Sequence, residues 1–61
     1  MKIIRLWNNG RQWIAEYDGE EAEEIKKLMG TTLIPTPYTI QKPKEQVITE
    51  LEILNPGYTI I

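Results

Sequence analysis

The stretch that most constrains this chain is an Asn-Gly pair between two runs rich in β-branched and aromatic residues. It reads KIIRLWNNGRQWIAEY, with Asn9 and Gly10 at its centre. Asn-Gly is the preferred pair for a two-residue type I′ turn, because both central positions of that turn need a positive φ. We therefore predict a β-hairpin with strands at about 2–7 and 11–17.

Counting outward from that turn predicts which side chains share a face, because directly opposed residues project to the same side of a sheet. With Asn9-Gly10 as the loop, Leu6 lies opposite Trp13 and Arg5 lies opposite Ile14. One face then carries only core-like side chains, namely Ile4, Leu6, Trp13, Ala15 and Tyr17. The other face is mixed and carries Ile3, Arg5, Trp7, Gln12, Ile14 and Glu16. A slip of one residue would exchange the two faces.

A first helix is predicted at about 19–29. Asp18 stands at the N-cap position with Glu21 three residues later, which is an Asp variant of the capping box. Gly30 follows the last apolar residue and suits the C-terminal stop. Apolar residues line one face of this helix at helical spacing, namely Ala22, Ile25, Leu28 and Met29.

A second helix is predicted at about 43–54, with Pro43 at its first position, where a missing N–H costs nothing. Its apolar stripe consists of Val47, Ile48, Leu51 and Leu54. The run Asn55-Pro56-Gly57 ends this helix, and its last two residues suit the centre of a type II turn. Residues 58–61 are apolar and β-branched enough to form a short terminal strand.

Between the helices lies the proline segment, 31–42, which reads TTLIPTPYTIQK. Pro35 and Pro37 are two residues apart, so in an extended chain both missing N–H groups fall on one edge. The opposite edge stays free to pair, which makes the segment a possible edge strand. We expect it to act as a structural strut, with Leu33, Tyr38 and Ile40 packing inward.

These elements define a small two-layer α+β fold that occupies the whole chain, 1–61, as one domain. Both helices are predicted to pack on the face of the hairpin that bears Leu6 and Trp13. The last strand is expected to lie beside the first, because a hairpin alone makes a marginal sheet.

The composition argues against an enzyme and against a metal or cofactor site. The chain has no cysteine, histidine or serine, which removes the usual nucleophiles, thiolate ligands and neutral-pH acid/base group. The net charge of −2 is mild and does not indicate a protein devoted to binding phosphate backbones. No secretory signal or membrane span is evident, so we expect a cytoplasmic protein without membrane contact.

The mixed face of the hairpin is the best candidate for a contact surface. Ile3, Trp7 and Ile14 lie there beside Arg5, and Ile60 or Ile61 joins them if the last strand pairs with the first. Soluble monomers rarely expose a contiguous apolar patch without a use for it, and Trp and Arg often anchor protein interfaces. This pattern predicts a non-enzymatic interaction module that self-associates or docks on a larger protein.

The alternative for the same face is single-stranded nucleic-acid binding. Trp7 would stack on a base, while Lys2, Arg5 and Arg11 would meet phosphates. The small number of basic groups and the acidic first helix favour the protein contact over this alternative.

Overall fold

A four-stranded sheet and two helices make up the structure, a computed structural model that describes residues 1–61. In chain order the elements are β1 (Ile3–Asn8), β2 (Trp13–Tyr17), α1 (Ala22–Met29), β3 (Leu33–Ile34), α2 (Lys44–Leu54) and β4 (Thr59–Ile60). The strand order is β3-β2-β1-β4; β1 is antiparallel to β2 and parallel to β4, and β3 is antiparallel to β2. The predicted α+β class is confirmed, and the last strand lies beside the first.

The hairpin bends one residue later than predicted. Gly10 has a φ of +92°, and no residue other than glycine has a positive φ, which excludes a type I′ turn at Asn9-Gly10. The Asn9 N–H donates to the Gln12 carbonyl at 3.2 Å, and the Asn9 Oδ1 accepts from the Gln12 N–H at 3.0 Å. Gly10 and Arg11 therefore form the bend.

This displacement changes every predicted cross-strand pair but leaves each side chain on its predicted face. Moving the centre of the turn by one residue shifts each pairing by two, so Leu6 lies opposite Ala15 and Trp7 lies opposite Ile14. Side chains alternate between faces with a period of two, so a two-residue shift preserves both faces. The prediction of the turn was wrong, and the prediction of the faces was right.

The core lies between one face of the sheet and α2. Alternation along β1 and β2 sends their apolar side chains to the side that α2 covers, and Val47 and Leu51 come from successive turns of that helix. The buried residues are Ile4, Leu6, Trp13, Ala15, Val47 and Leu51. Packed against them are Tyr17, Ile34, Tyr38, Ile48, Tyr58 and Ile60.

Helix α2 begins one residue later than predicted, because Pro43 is its N-cap with a ψ of 140°. Gly57 has a φ of +88° and the Tyr58 N–H donates to the Asn55 carbonyl at 3.2 Å, as the type II turn requires. Leu54 was expected in the apolar stripe of α2, but it is exposed. Neither helix has the length and apolar character needed to cross a membrane.

Helix α1 begins at Ala22, later than the predicted start, and no side chain caps it. The predicted cap, Asp18, is held elsewhere. Its N–H donates to the Ile3 carbonyl at 2.9 Å, and its carboxylate accepts from the Arg5 guanidinium at 2.9 Å. The chain around Asp18 thus continues alongside β1 before the helix can start.

The prediction that both helices pack on the core face holds for α2 only. No residue of α1 is buried, and Leu28 is 87% exposed. One polar contact ties the start of α1 to the core side of the sheet, where the Tyr58 hydroxyl donates to the Glu21 carboxylate at 3.3 Å. The apolar stripe of α1 is therefore largely left in solvent.

Tyr58 gives this contact a pH dependence. Partial burial, followed by the charge of Glu21 and its hydrogen bond, raises the pKa of the Tyr58 hydroxyl above its usual 10.0. The folded state therefore favours the neutral phenol, so this contribution to stability is complete below pH 10 and is lost as the pH rises through the folded-state pKa. Thermal unfolding followed from pH 8 to 12 should show a larger loss of stability in the unmodified chain than in a Tyr58→Phe variant. Equal alkaline losses in both proteins would contradict this assignment.

The proline segment runs along the free edge of β2, as predicted for a possible edge strand. Its pairing places Ile34 opposite Ala15, so Ile34 faces the core. Leu33 and Ile40 were predicted to pack inward, but both are exposed. Tyr38 does pack against the core, as expected.

Candidate interaction surface

One side of the sheet has no helix over it, and we call this side the open face. Alternation along the strands determines which residues lie there, because each is adjacent in sequence to a residue that points into the core. From the pairing registers the open face comprises Ile3, Arg5, Trp7, Ile14, Glu16, Asp18, Leu33, Thr59 and Ile61.

The apolar part of the open face centres on a cross-strand pair. Trp7 of β1 lies directly opposite Ile14 of β2. Trp7 is 37% exposed, and the flanking Leu33 and Ile61 are 48% and 55% exposed. Aromatic and β-branched residues that face each other across strands stabilise a sheet, but here they also present a ring and branched side chains to solvent.

Two of the three charged groups on the open face, Arg5 and Asp18, form an ion pair, and the third, Glu16, accepts a hydrogen bond. The Arg5 guanidinium contacts the Asp18 carboxylate at 2.9 Å, and Glu16 accepts a hydrogen bond from the Thr32 hydroxyl at 2.7 Å. Arg5 also lies opposite Glu16 across the strands. A surface whose charges already have partners can be covered by an apolar surface at lower cost than one with free charges.

One edge of the sheet cannot accept a further strand easily. The outer edge of β3 and the residues after it lack free donors, because Pro35 and Pro37 have no N–H. The Leu33 N–H on the same edge is taken by the Thr31 hydroxyl at 3.1 Å. A strand added at this edge would therefore have no free backbone N–H to pair with between residues 33 and 37.

The opposite edge, β4, is only two residues long. The Thr59 N–H donates to the Lys2 carbonyl and the Ile61 N–H to the Ile4 carbonyl, so both face β1. Only the backbone of Ile60 then points outward, since alternate backbone groups point to opposite edges. The open face, and not an edge, is therefore the broad contact surface of the sheet.

The structure brings together Ile3, Arg5, Trp7 and Ile14, the residues predicted for protein contact, on this one face. It does not bring together the residues named for nucleic-acid binding. Lys2 lies on the core side, with its ammonium 5.4 Å from the centre of the Tyr58 ring. Arg5 is paired with Asp18, and Arg11 lies in the bend of the hairpin. Trp7 therefore has no cluster of free cations around it.

Sequence reasoning missed Leu33 as a member of the open face and left Ile60 and Ile61 as alternatives. The pairing of Ile60 with Ile4 sends Ile60 to the core, and Ile61 then takes the open side. The sequence already indicated the position of Lys2. It lies two residues before Ile4, and in an extended chain residues two apart project to the same side.

A surface concavity lies on α1. Its lining consists of Glu23, Lys26 and Lys27, three exposed side chains on the solvent side of one helix. Comparison of the chain with protein-family models, curated proteins and solved structures found no match. The geometry of the open face is therefore the main pointer to function in this chain.

Proposed function

We propose that this chain is a non-enzymatic interaction module that forms a homodimer through its open face. The observation that carries the proposal is the cross-strand pair of Trp7, which is 37% exposed, and the half-buried Ile14, in a sheet covered on one side only. Two such faces would pack about 10 Å apart with their side chains interdigitated, which gives a layer order of helix, sheet, sheet, helix. Trp7 would be the anchor of this interface, because buried Trp residues often dominate binding energy.

A second copy of the chain is the occupant that these observations favour. The charged groups of the open face are one arginine and two carboxylates, and Arg5 is paired with Asp18, so the face requires neither a strongly basic nor a strongly acidic partner. Closed two-fold dimers are the commonest oligomers, and their interface is one patch used twice. A standard interface needs about 800 Å² from each partner, less than a fifth of the 4451 Å² surface of this chain.

Sedimentation equilibrium of the unmodified chain tests the proposal. We expect a mass of twice 7.1 kDa, and a monomer for Trp7→Lys, because the substitution removes the anchor and brings like charges together across the interface. The expected weakening is about 2 kcal/mol or more, the usual cost of losing a central anchor.

The matched control is Ile53→Lys, since Ile53 is 73% exposed and belongs to α2, on the opposite side of the sheet. This variant should remain a dimer. A wild-type chain that keeps the monomer mass up to about 1 mM, the weakest affinity of interest, would contradict the proposal. Dissociation of Ile53→Lys to the same degree as Trp7→Lys would also contradict it.

A further inference from the structure

We infer that this chain folds only as it associates, so that the dimer is the folded unit and the isolated monomer is not. The inference rests on the proposed function and adds that folding and dimerisation are one step. Its first support is how little the single chain buries. Six of its 61 residues are buried, and none of them belongs to α1.

The total accessible surface agrees with this low burial. The chain exposes 4451 Å², whereas a compact monomer of 7.1 kDa is expected to expose about 4,100 Å². Large apolar side chains supply part of that excess on both sides of the sheet. Those exposed are Met1, Trp7, Leu28, Met29, Leu33, Ile40, Ile53, Leu54 and Ile61.

The chain also lacks the other devices that stabilise domains of this size. It has no cysteine, so no disulfide can form, and it has no group of three or more His, Cys, Asp or Glu residues that could hold a metal ion. Domains below about 70–80 residues usually rely on one of these devices or on oligomerisation. Oligomerisation is a device of this kind that the sequence can still use.

The position of β1 explains why covering the open face would stabilise the whole sheet. This strand pairs with β2 on one side and β4 on the other, so the hairpin and the terminal strand both depend on it. It sends Ile4 and Leu6 into the core and presents Ile3 and Trp7 on the open face. A second copy would bury the exposed side of the same strand that holds the sheet together.

Dilution of the unmodified chain tests the inference directly. Far-UV circular dichroism and sedimentation mass, followed over a hundredfold range of concentration, should fall together as the dimer dissociates. The urea midpoint should rise with concentration, because a hundredfold change in partner concentration corresponds to about 2.7 kcal/mol. With typical slopes for small proteins, the expected shift is about 1–2 M urea.

The outcomes separate this inference from the proposed function. A diluted monomer that keeps the native circular dichroism spectrum would overturn coupled folding while leaving the dimer intact. A chain that is monomeric at every concentration would overturn the dimer itself. Trp7→Lys should lose native circular dichroism at concentrations where Ile53→Lys keeps it, and a folded Trp7→Lys monomer would contradict the inference.

Discussion

Replacing Trp13 with alanine is expected to lower the free energy of unfolding by about 3–5 kcal/mol, enough to unfold a chain this small. Trp13 is the largest side chain of the core and is only 8% exposed. Its indole N–H donates to the Lys42 carbonyl at 2.9 Å, which fastens the end of the proline segment to the sheet. The substitution would therefore have two effects: it would leave a large cavity in the core, and it would release the end of the proline segment.

Urea denaturation followed by far-UV circular dichroism, at one protein concentration, measures this effect. Trp13→Phe separates its two causes, because phenylalanine keeps an aromatic ring but cannot donate to Lys42. We expect Trp13→Phe to show a smaller loss, with about 1 kcal/mol of it due to the hydrogen bond. Met29→Ala, on the solvent side of α1, should change stability by no more than about 0.5 kcal/mol. A Trp13→Ala variant as stable as Met29→Ala would contradict the assigned role of Trp13.

Gly19→Ala is expected to destabilise the chain by about 1–3 kcal/mol, because a side chain has no room at this position. A Cβ there would overlap the Met1 carbonyl oxygen and lie 3.0 Å from the Ile3 nitrogen. These are backbone atoms, so the chain itself would have to move. The hydrogen bond from the Asp18 N–H to the Ile3 carbonyl, at 2.9 Å, should be weakened or lost.

Amide hydrogen exchange shows which part of the chain the Gly19→Ala substitution disturbs. Protection should fall first at Asp18, while the amides of α2 lose protection only through the global loss of stability. Glu52→Ala is the control, since Glu52 is exposed and belongs to α2. Unchanged protection at Asp18 in the Gly19→Ala variant would show that the close approach does not constrain this part of the chain.

The faces of the hairpin could be predicted from the sequence because they depend only on alternation along the strands. The register could not, because Asn9-Gly10 and Gly10-Arg11 both place a glycine where a positive φ is needed. The structure has the second bend, in which the Asn9 side chain accepts hydrogen bonds from the backbone N–H groups of Arg11 and Gln12. The local preference of Asn-Gly for a type I′ turn favours the first bend and is overridden here, but both bends keep Trp7 and Trp13 on opposite faces.

The remaining differences arise from contacts between residues far apart in the chain. Asp18 has the sequence signature of a helix cap, but Arg5 and the Ile3 carbonyl hold it in the sheet. Leu33 and Ile34 are equally apolar, and only the pairing of Ile34 with Ala15 decides which of them faces the core. The composition of the open face could therefore be predicted for β1 and β2, but not for the edge strands.

The two prolines beside β3 matter most when the chain is not folded. If folding requires a partner, unfolded chains coexist with dimers. In each unfolded chain the segment from Leu33 to Ile40, with its apolar side chains, is exposed to solvent. Stacking of such runs into cross-β fibrils needs an N–H at every second position on each edge, and Pro35 and Pro37 remove two of them. The chain thus carries a built-in safeguard against amyloid growth through this segment.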